Sequence, residues 1–276
     1  MPKEKSPNVY SRIIAEIFRR HYQIGLAEFT FDRAEIRTVA SELGLPAPSN
    51  IGDVLYTFRY RGQLPESIAL TAAPGLHWII RPTGIGKYKF VQVRQVNVVP
   101  SPDLITTKLP DATPGIIAKY ALTDEQALLA ILRYNRLVDI FTGLTCYSLQ
   151  SHLRTTVRGM GQVETDEVYV GLDKRGVHYV IPVQAKGRTD RIGQVQIEQD
   201  LAVCAEKFPD LVCRPIAAQF MADPFAPAHT GYVIALFELQ DTDEGIKIVT
   251  EKHYRLVSPN SVDKQDLAAY KQHPLP

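Results

Sequence analysis

Residues 166–186 constrain this chain more than any other stretch, because they read as a β-hairpin whose open end carries polar groups where packing alone would place hydrophobes. Val168, Val170, Val177, Tyr179, Ile181 and Val183 are strand formers, and Asp173-Lys174-Arg175-Gly176 is a turn. A turn centred on Lys174 and Arg175 sets Asp166 across from Val183 or Gln184, since antiparallel partners share a constant index sum. Side chains alternate along a strand, so Glu164 and Asp166 share one face, as do Gln184 and Lys186 on the partner. Four polar groups thereby converge at one end of the hairpin.

Such a cluster suits phosphodiester hydrolysis, in which carboxylate and neighbouring oxygens hold Mg²⁺, the metal acidifies a water and polarises the phosphate, and a lysine stabilises the charge that develops. The pattern Asp166…Gln184-Ala185-Lys186 resembles the PD-(D/E)XK nuclease superfamily, and the glutamine resembles its Mrr-like branch. The similarity spans about residues 149–239. It implies a restriction-endonuclease-like α/β domain with a mixed central sheet, Asp166 as the metal-binding acid, Gln184 as the ligand at the third motif position and Lys186 as the catalytic lysine. Gln184 departs from the superfamily's majority pattern, and a neutral carbonyl holds Mg²⁺ more weakly than a carboxylate. Glu164 or Glu167 is placed to restore the missing charge, and Glu164 joins Asp166 and Gln184 as a candidate metal ligand.

A polar helix follows, Gln194-Val195-Gln196-Ile197-Glu198-Gln199-Asp200-Leu201. The resemblance implies that such a helix offers a glutamine to the site, Gln196 or Gln199. In these folds a helix before the hairpin sometimes brings a further acid; residues 147–158 read as that helix and contain none, Gln150 being the nearest substitute. His152 and His178 flank the site. The seven histidines show no HxH or HExxH spacing, which excludes the usual zinc hydrolases, and no GxSxG marks a serine nucleophile.

The first hundred residues have a different grammar. Ser6 and Pro7 open a helix with an apolar stripe at Ile13, Ile14, Ile17 and Phe18. Asp32 and Glu35 form a capping-box-like pair before a helix carrying Ile36, Val39, Ala40 and Leu43, which stops at Gly44. Ser49 caps a third helix over residues 50–61, and two extended runs, 77–81 and 87–99, flank Pro82-Thr83-Gly84-Ile85-Gly86 as a hairpin. Three helices and a hairpin in this order resemble a winged helix-turn-helix. The third helix then enters the major groove with Tyr56, Arg59, Tyr60 and Arg61, while the wing sets Thr83, Lys87 and Lys89 against phosphates. Charge agrees: the whole chain is +1, yet residues 57–95 hold six basic residues against Glu66 alone.

The domain reading is a winged-helix DNA-binding domain over 1–99, a Pro-rich linker over 100–114, the nuclease domain over 115–258 and a polar tail over 259–276. Within the nuclease domain, one long amphipathic helix capped by Thr123 or Asp124 runs to Gly143. No apolar run reaches a membrane span and the N-terminus has no apolar leader segment, so the sequence predicts a cytoplasmic protein with no membrane partner. Cys146, Cys204 and Cys213 read as buried thiols. The expected function is a Mg²⁺-dependent, restriction-type endonuclease acting on duplex DNA as a homodimer, since two strands need two active sites. Two other readings stand beside it: a DNA-binding regulator with an inactive nuclease-like domain, supported by Gln184, and a structure-selective repair nuclease.

Overall fold

Two sheets organise the chain, a three-stranded one near the N-terminus and an eight-stranded one that carries the hairpin. The computed structural model describes residues 8–61, 63–94, 98–120, 125–187, 192–221, 233–242 and 245–272, with the side chains of Tyr60, Arg61 and Ala118 outside the description. Ser6, Pro7, Gly62, Thr123 and Asp124, to which capping and stop roles fell, also lie outside it.

The N-terminal part runs α1 (Val9–His21), β1 (Glu28–Asp32), α2 (Glu35–Glu42), α3 (Ile51–Tyr56), α4 (Glu66–Ala69), β2 (His77–Gly84) and β3 (Lys87–Val93), with antiparallel sheet order β1-β3-β2. Ile13, Ile14, Ile17 and Phe18 are buried on α1 as their spacing requires. Asn8 caps α1, its side chain accepting from Tyr10 N–H at 3.2 Å. The Asp32–Glu35 pair forms only in its backward half, Glu35 Oε1 accepting from Asp32 N–H at 2.8 Å. Asn50 rather than Ser49 caps α3 through Gly52 N–H at 2.9 Å, and α3 passes into a π-helical turn over Thr57–Arg61. Phe18, Trp78 and Phe90 meet edge to face, with centroids 5.2 and 5.1 Å from Phe18, and Trp78 donates to Thr71 Oγ1 at 2.9 Å.

The remainder runs β4 (Thr106–Pro110), α5 (Gly115–Tyr120), α6 (Glu125–Tyr134), α7 (Leu137–Thr142), β5 (Thr145–Val157), β6 (Gly161–Leu172), β7 (His178–Lys186), α8 (Gln194–Lys207), β8 (Val212–Cys213), β9 (Ile216–Met221), β10 (Val233–Thr242), β11 (Gly245–Val257), a 3₁₀ turn (Pro259–Ser261) and α9 (Lys264–Gln272). The sheet order is β4-β11-β10-β9-β7-β6-β5, with β8 beside β7. β7 runs parallel to β9, and β11 to β4, so the sheet is mixed. Leu128, Leu129 and Leu132 of α6 pack on Val183, Ala185, Ile216 and Ala218; on α8, Ile197 meets Ala217 and Phe237, and Val203 meets Val157 and Val163. The strands between the two helices are therefore buried on both faces.

Three readings of the sequence are corrected. Residues 147–158 lie in strand β5, not in a helix: Leu149 and Leu153 have helical spacing, but Leu149 is exposed and the run pairs with β6. The long helix is two, because Arg136 takes a left-handed conformation (φ 51°) and Asn135 turns its amide on its own backbone and on the preceding segment. Residues 106–110, read as linker, form an edge strand against β11, and the tail returns to hold it, Tyr270 Oη accepting from Lys108 N–H at 2.9 Å and Lys108 Nζ reaching Asp266 at 3.0 Å.

Asn135 closes this break. Its buried amide accepts from Ala112 N–H (2.7 Å) and donates to Thr113 Oγ1 (2.8 Å) and to Ile131 O (3.0 Å). Asn135→Ala strands Ala112 N–H and should lower stability in urea titrations by about 2–3 kcal/mol.

Candidate active site

The β6–β7 ladder pairs Leu172 with His178 and continues in register to Glu167 opposite Val183. The turn is fixed by Asp173, whose Oδ1 accepts from Arg175 N–H (2.8 Å) and Val177 N–H (2.9 Å), and by Gly176, which supplies the positive φ of 82°. One residue past the last pair, Asp166 Oδ2 accepts from Ala185 N–H at 2.9 Å, so a side-chain carboxylate continues the ladder where the backbone stops. The acid therefore lies beside Gln184-Ala185-Lys186, as the index sum requires. Lys186 is 8% exposed, and its Nζ bonds Glu125 Oε1 on the first residue of α6 at 2.7 Å. Burial raises the Asp166 carboxyl above the usual range and Glu125 adds to this, while Ala185 N–H, Lys186 and His152 act in the other direction.

A second polar layer meets α8. Gln184 is buried, and its Nε2 donates to Asp200 Oδ1 at 3.0 Å, an atom that also accepts from Thr165 Oγ1 at 2.7 Å. With the amide nitrogen turned to Asp200, the carbonyl Oε1 faces α8, where it accepts from Gln196 Nε2 at 3.4 Å. Gln196 in turn accepts from Gly193 N–H at 3.2 Å through Oε1, which ties it to the helix start. Asp200 is wholly buried, its Oδ2 has no hydrogen-bond partner among the described residues, and burial pushes its carboxyl up to about 8.

Of the remaining candidates, Glu164 is not gathered with Asp166: it is half exposed on the rim, with Arg154 Nε at 3.1 Å and His152 Nδ1 at 3.4 Å. Glu167 faces α6 and is bonded there by Arg133 and by Ser148 Oγ at 2.6 Å, so it does not restore the missing charge. Gln196 reaches Gln184, and Gln199 is buried further along α8. Glu125, Asp200 and Thr165 are site residues that sequence reasoning missed. The expected extra acid was sought in residues 147–158, but the helix that packs against β7 is α6, and its first residue is Glu125. Asp200 stands one turn after Gln196, a spacing that shares a helix face, which was the available signal.

The candidate DNA contacts are dispersed. Tyr56 is exposed on α3, and Thr83 and Lys87 are exposed at the β2–β3 turn. The Arg59 guanidinium lies 5.9 Å from the Tyr88 ring centre, Lys89 pairs with Glu28 at 2.7 Å, and the side chains of Tyr60 and Arg61 are outside the described residues. Arg81 makes a two-pronged pair with Glu198 of α8, with Nε to Oε2 at 2.7 Å. The N-terminal sheet thus touches the helix that supports Gln184.

Comparison of the chain with family models, with curated proteins and with solved structures finds no match in any of the three. No described helix is long and apolar enough to cross a membrane. Among the described residues no group of three or more His, Cys, Asp and Glu side chains is placed to hold a metal ion. In donor chemistry alone, the carboxylates of Asp166 and Glu125 and the carbonyl of Gln184 are oxygens of the type taken by a hard cation that binds through one or two carboxylates and completes its shell with water and substrate phosphate; each is hydrogen-bonded within the protein, to Ala185 N–H, Lys186 Nζ and Gln196 Nε2.

The Asp200 carboxyl gives the metal-free protein a pH signature. Its folded value lies near 8 against about 3.9 unfolded, so its contribution to stability is full below the unfolded value and is lost as pH rises towards the folded one. The slope between them is about 1.4 kcal/mol per pH unit at most. Asp200→Asn keeps an acceptor for Thr165 and Gln184 without the titration. Its melting temperature relative to wild type should climb from pH 5 to pH 8 in EDTA, as differential scanning calorimetry would read it.

Proposed function

We propose that the chain is a Mg²⁺-dependent deoxyribonuclease of the PD-(D/E)XK type, cutting duplex DNA. The observation that carries this reading is Asp166 on β6 bonded to the backbone of Gln184-Ala185-Lys186 on β7, with Lys186 held by an acid at the start of α6. The order of elements supports it: helices α6 and α7, the antiparallel run β5-β6-β7, helix α8, then β9 parallel to β7. For the N-terminal part, a helix, a strand, three helices of which the last is a single turn, and a hairpin with sheet order β1-β3-β2 suit a winged helix. A homodimer suits the need for two cuts.

Asp166 would hold the cation with the Gln184 carbonyl as neutral donor and Glu125 as the second acid. When bound, the metal supplies Lewis-acid polarisation of the phosphate and an acidified water. Lys186, held by Glu125, is aimed at the charge that grows on the phosphate oxygens as the bond breaks. Glu125 keeps the ammonium in place before substrate arrives, and a phosphate oxygen then competes for it. Asp200 and Thr165 hold the Gln184 amide so that it presents oxygen. A second reading, a DNA-binding protein with an inactive nuclease-like domain, draws on the neutral Gln184 and on the absence of a three-acid group among the described residues.

Incubation with plasmid and Mg²⁺ separates the two. Lys186→Ala should lower kcat for cleavage by roughly 10²–10³-fold, with duplex affinity in Ca²⁺ changed by little, since the lysine acts on the transition state; a wild-type protein that leaves plasmid intact over a range of Mg²⁺ and Mn²⁺ would favour the second reading. Gln184→Glu places a carboxylate where the oxygen stands, against an Asp200 carboxyl that is protonated below about 8 and able to donate to it. Cleavage at pH 7 should survive with a lower Mg²⁺ requirement, and a folded, DNA-binding but inactive variant would remove Gln184 from the metal.

A further inference from the structure

Strand β5 departs from regular geometry twice within four residues, first opposite Val168 and Tyr169 and then opposite Asp166. The β5–β6 register shifts between Ser148 and Gln150, leaving Leu149 as an extra residue. Three residues later His152 adopts φ 49°, a left-handed backbone in the middle of a strand. Only two non-glycine residues among those described have positive φ; the other, Arg136, is accounted for by the helix break that Asn135 holds. Nothing comparable requires it at His152. A bulge and a left-handed residue re-aim a side chain, and strain of this kind persists where its surroundings impose it.

The flanking pairs Ser151 with Glu167 and Leu153 with Thr165 set His152 opposite Asp166. Its ring is held from two sides: Nε2 lies 2.7 Å from Gln126 Nε2 on α6, and Nδ1 lies 3.4 Å from Glu164 Oε1 on β6. An amide nitrogen can only donate and a carboxylate can only accept, so these partners specify the tautomer with the proton on Nδ1 and a lone pair on Nε2. Gln126 is exposed and the His152 side chain is 44% exposed, so the amide is a displaceable cover over that lone pair.

We propose that His152 is a catalytic residue of the nuclease reaction: its Nε2 accepts a hydrogen bond, and then the proton, from the water whose oxygen bonds to the phosphorus beside Asp166 as the ester P–O bond breaks, the leaving oxygen taking its proton from solvent and the imidazole returning its own to solvent. This rests on the reading of the site as a nuclease. Glu164, displaced from the metal, thereby acquires a role: it fixes the ring that orients the nucleophile. The competing account is that β5 is an edge strand and that its irregular backbone blunts the edge against pairing with another chain, the ring being incidental.

Two variants separate these accounts. Asn tolerates a left-handed backbone and Gly adopts it freely, so His152→Asn and His152→Gly both keep the edge geometry while removing the imidazole. Expected are a loss of kcat of roughly 10- to 100-fold in both, a KM within about twofold of wild type, and a melting temperature for His152→Gly at or above that of wild type, because the backbone strain is relieved. If both variants cleave plasmid at the wild-type kcat while Lys186→Ala is inactive, the nuclease reading stands and the role of His152 falls. If wild-type protein does not cleave with Mg²⁺ or Mn²⁺, both fall together. Should the Gly variant misfold, the kcat of the Asn variant decides alone.

Discussion

Where the β6–β7 ladder ends, a carboxylate takes over from the backbone: Asp166 receives the Ala185 N–H that no carbonyl is left to accept. That bond lets the two strands part while keeping Asp166 within reach of Lys186. A hydrogen bond to a charged group is worth about 1.5–3 kcal/mol, and here it also orients the acid. With a residue that could not accept, the Ala185 amide would be unpaired between packed helices, and the strand end bearing Lys186 would lose its anchor.

The two helices packed on this sheet divide the labour. α6 covers one face with leucines and presents Glu125 to Lys186; α8 covers the other and presents Gln196 and Asp200 to Gln184. The polar layer on the α8 side lies deep in the protein, with Thr165, Gln184 and Asp200 all close to inaccessible. Such a layer stabilises less than a hydrophobic one would, and an acid that burial keeps protonated near neutrality is a direct cost to the fold. Its retention is understandable if a fixed amide orientation is needed at Gln184.

Legibility from sequence followed the range of the forces. The hairpin was readable because turn chemistry and alternation are local, and its register follows once the turn is placed. The part of the N-terminal core that α1 supplies was readable for the same reason at Ile13, Ile14, Ile17 and Phe18. β5 was not, since Leu149 and Leu153 mimic a helical spacing and only pairing with β6 settles the matter. That error hid Glu125, because the acid was sought on a helix that does not exist. In the basic stretch a count of charges leaves out pairing, since Arg81 and Lys89 are each paired with an acid distant in sequence, Glu198 and Glu28.

The pair formed by Arg81 and Glu198 joins β2 to α8 between Gln196 and Asp200, the two residues that meet Gln184. Force applied to the small sheet is therefore delivered to the second turn of the helix, the turn that also carries Gln196 and Asp200 on either side of Glu198. The N-terminal part is tied to the very scaffold that orients Gln184, so a displacement of β2 is felt as a change in amide alignment on the other side of the helix, without any further moving part.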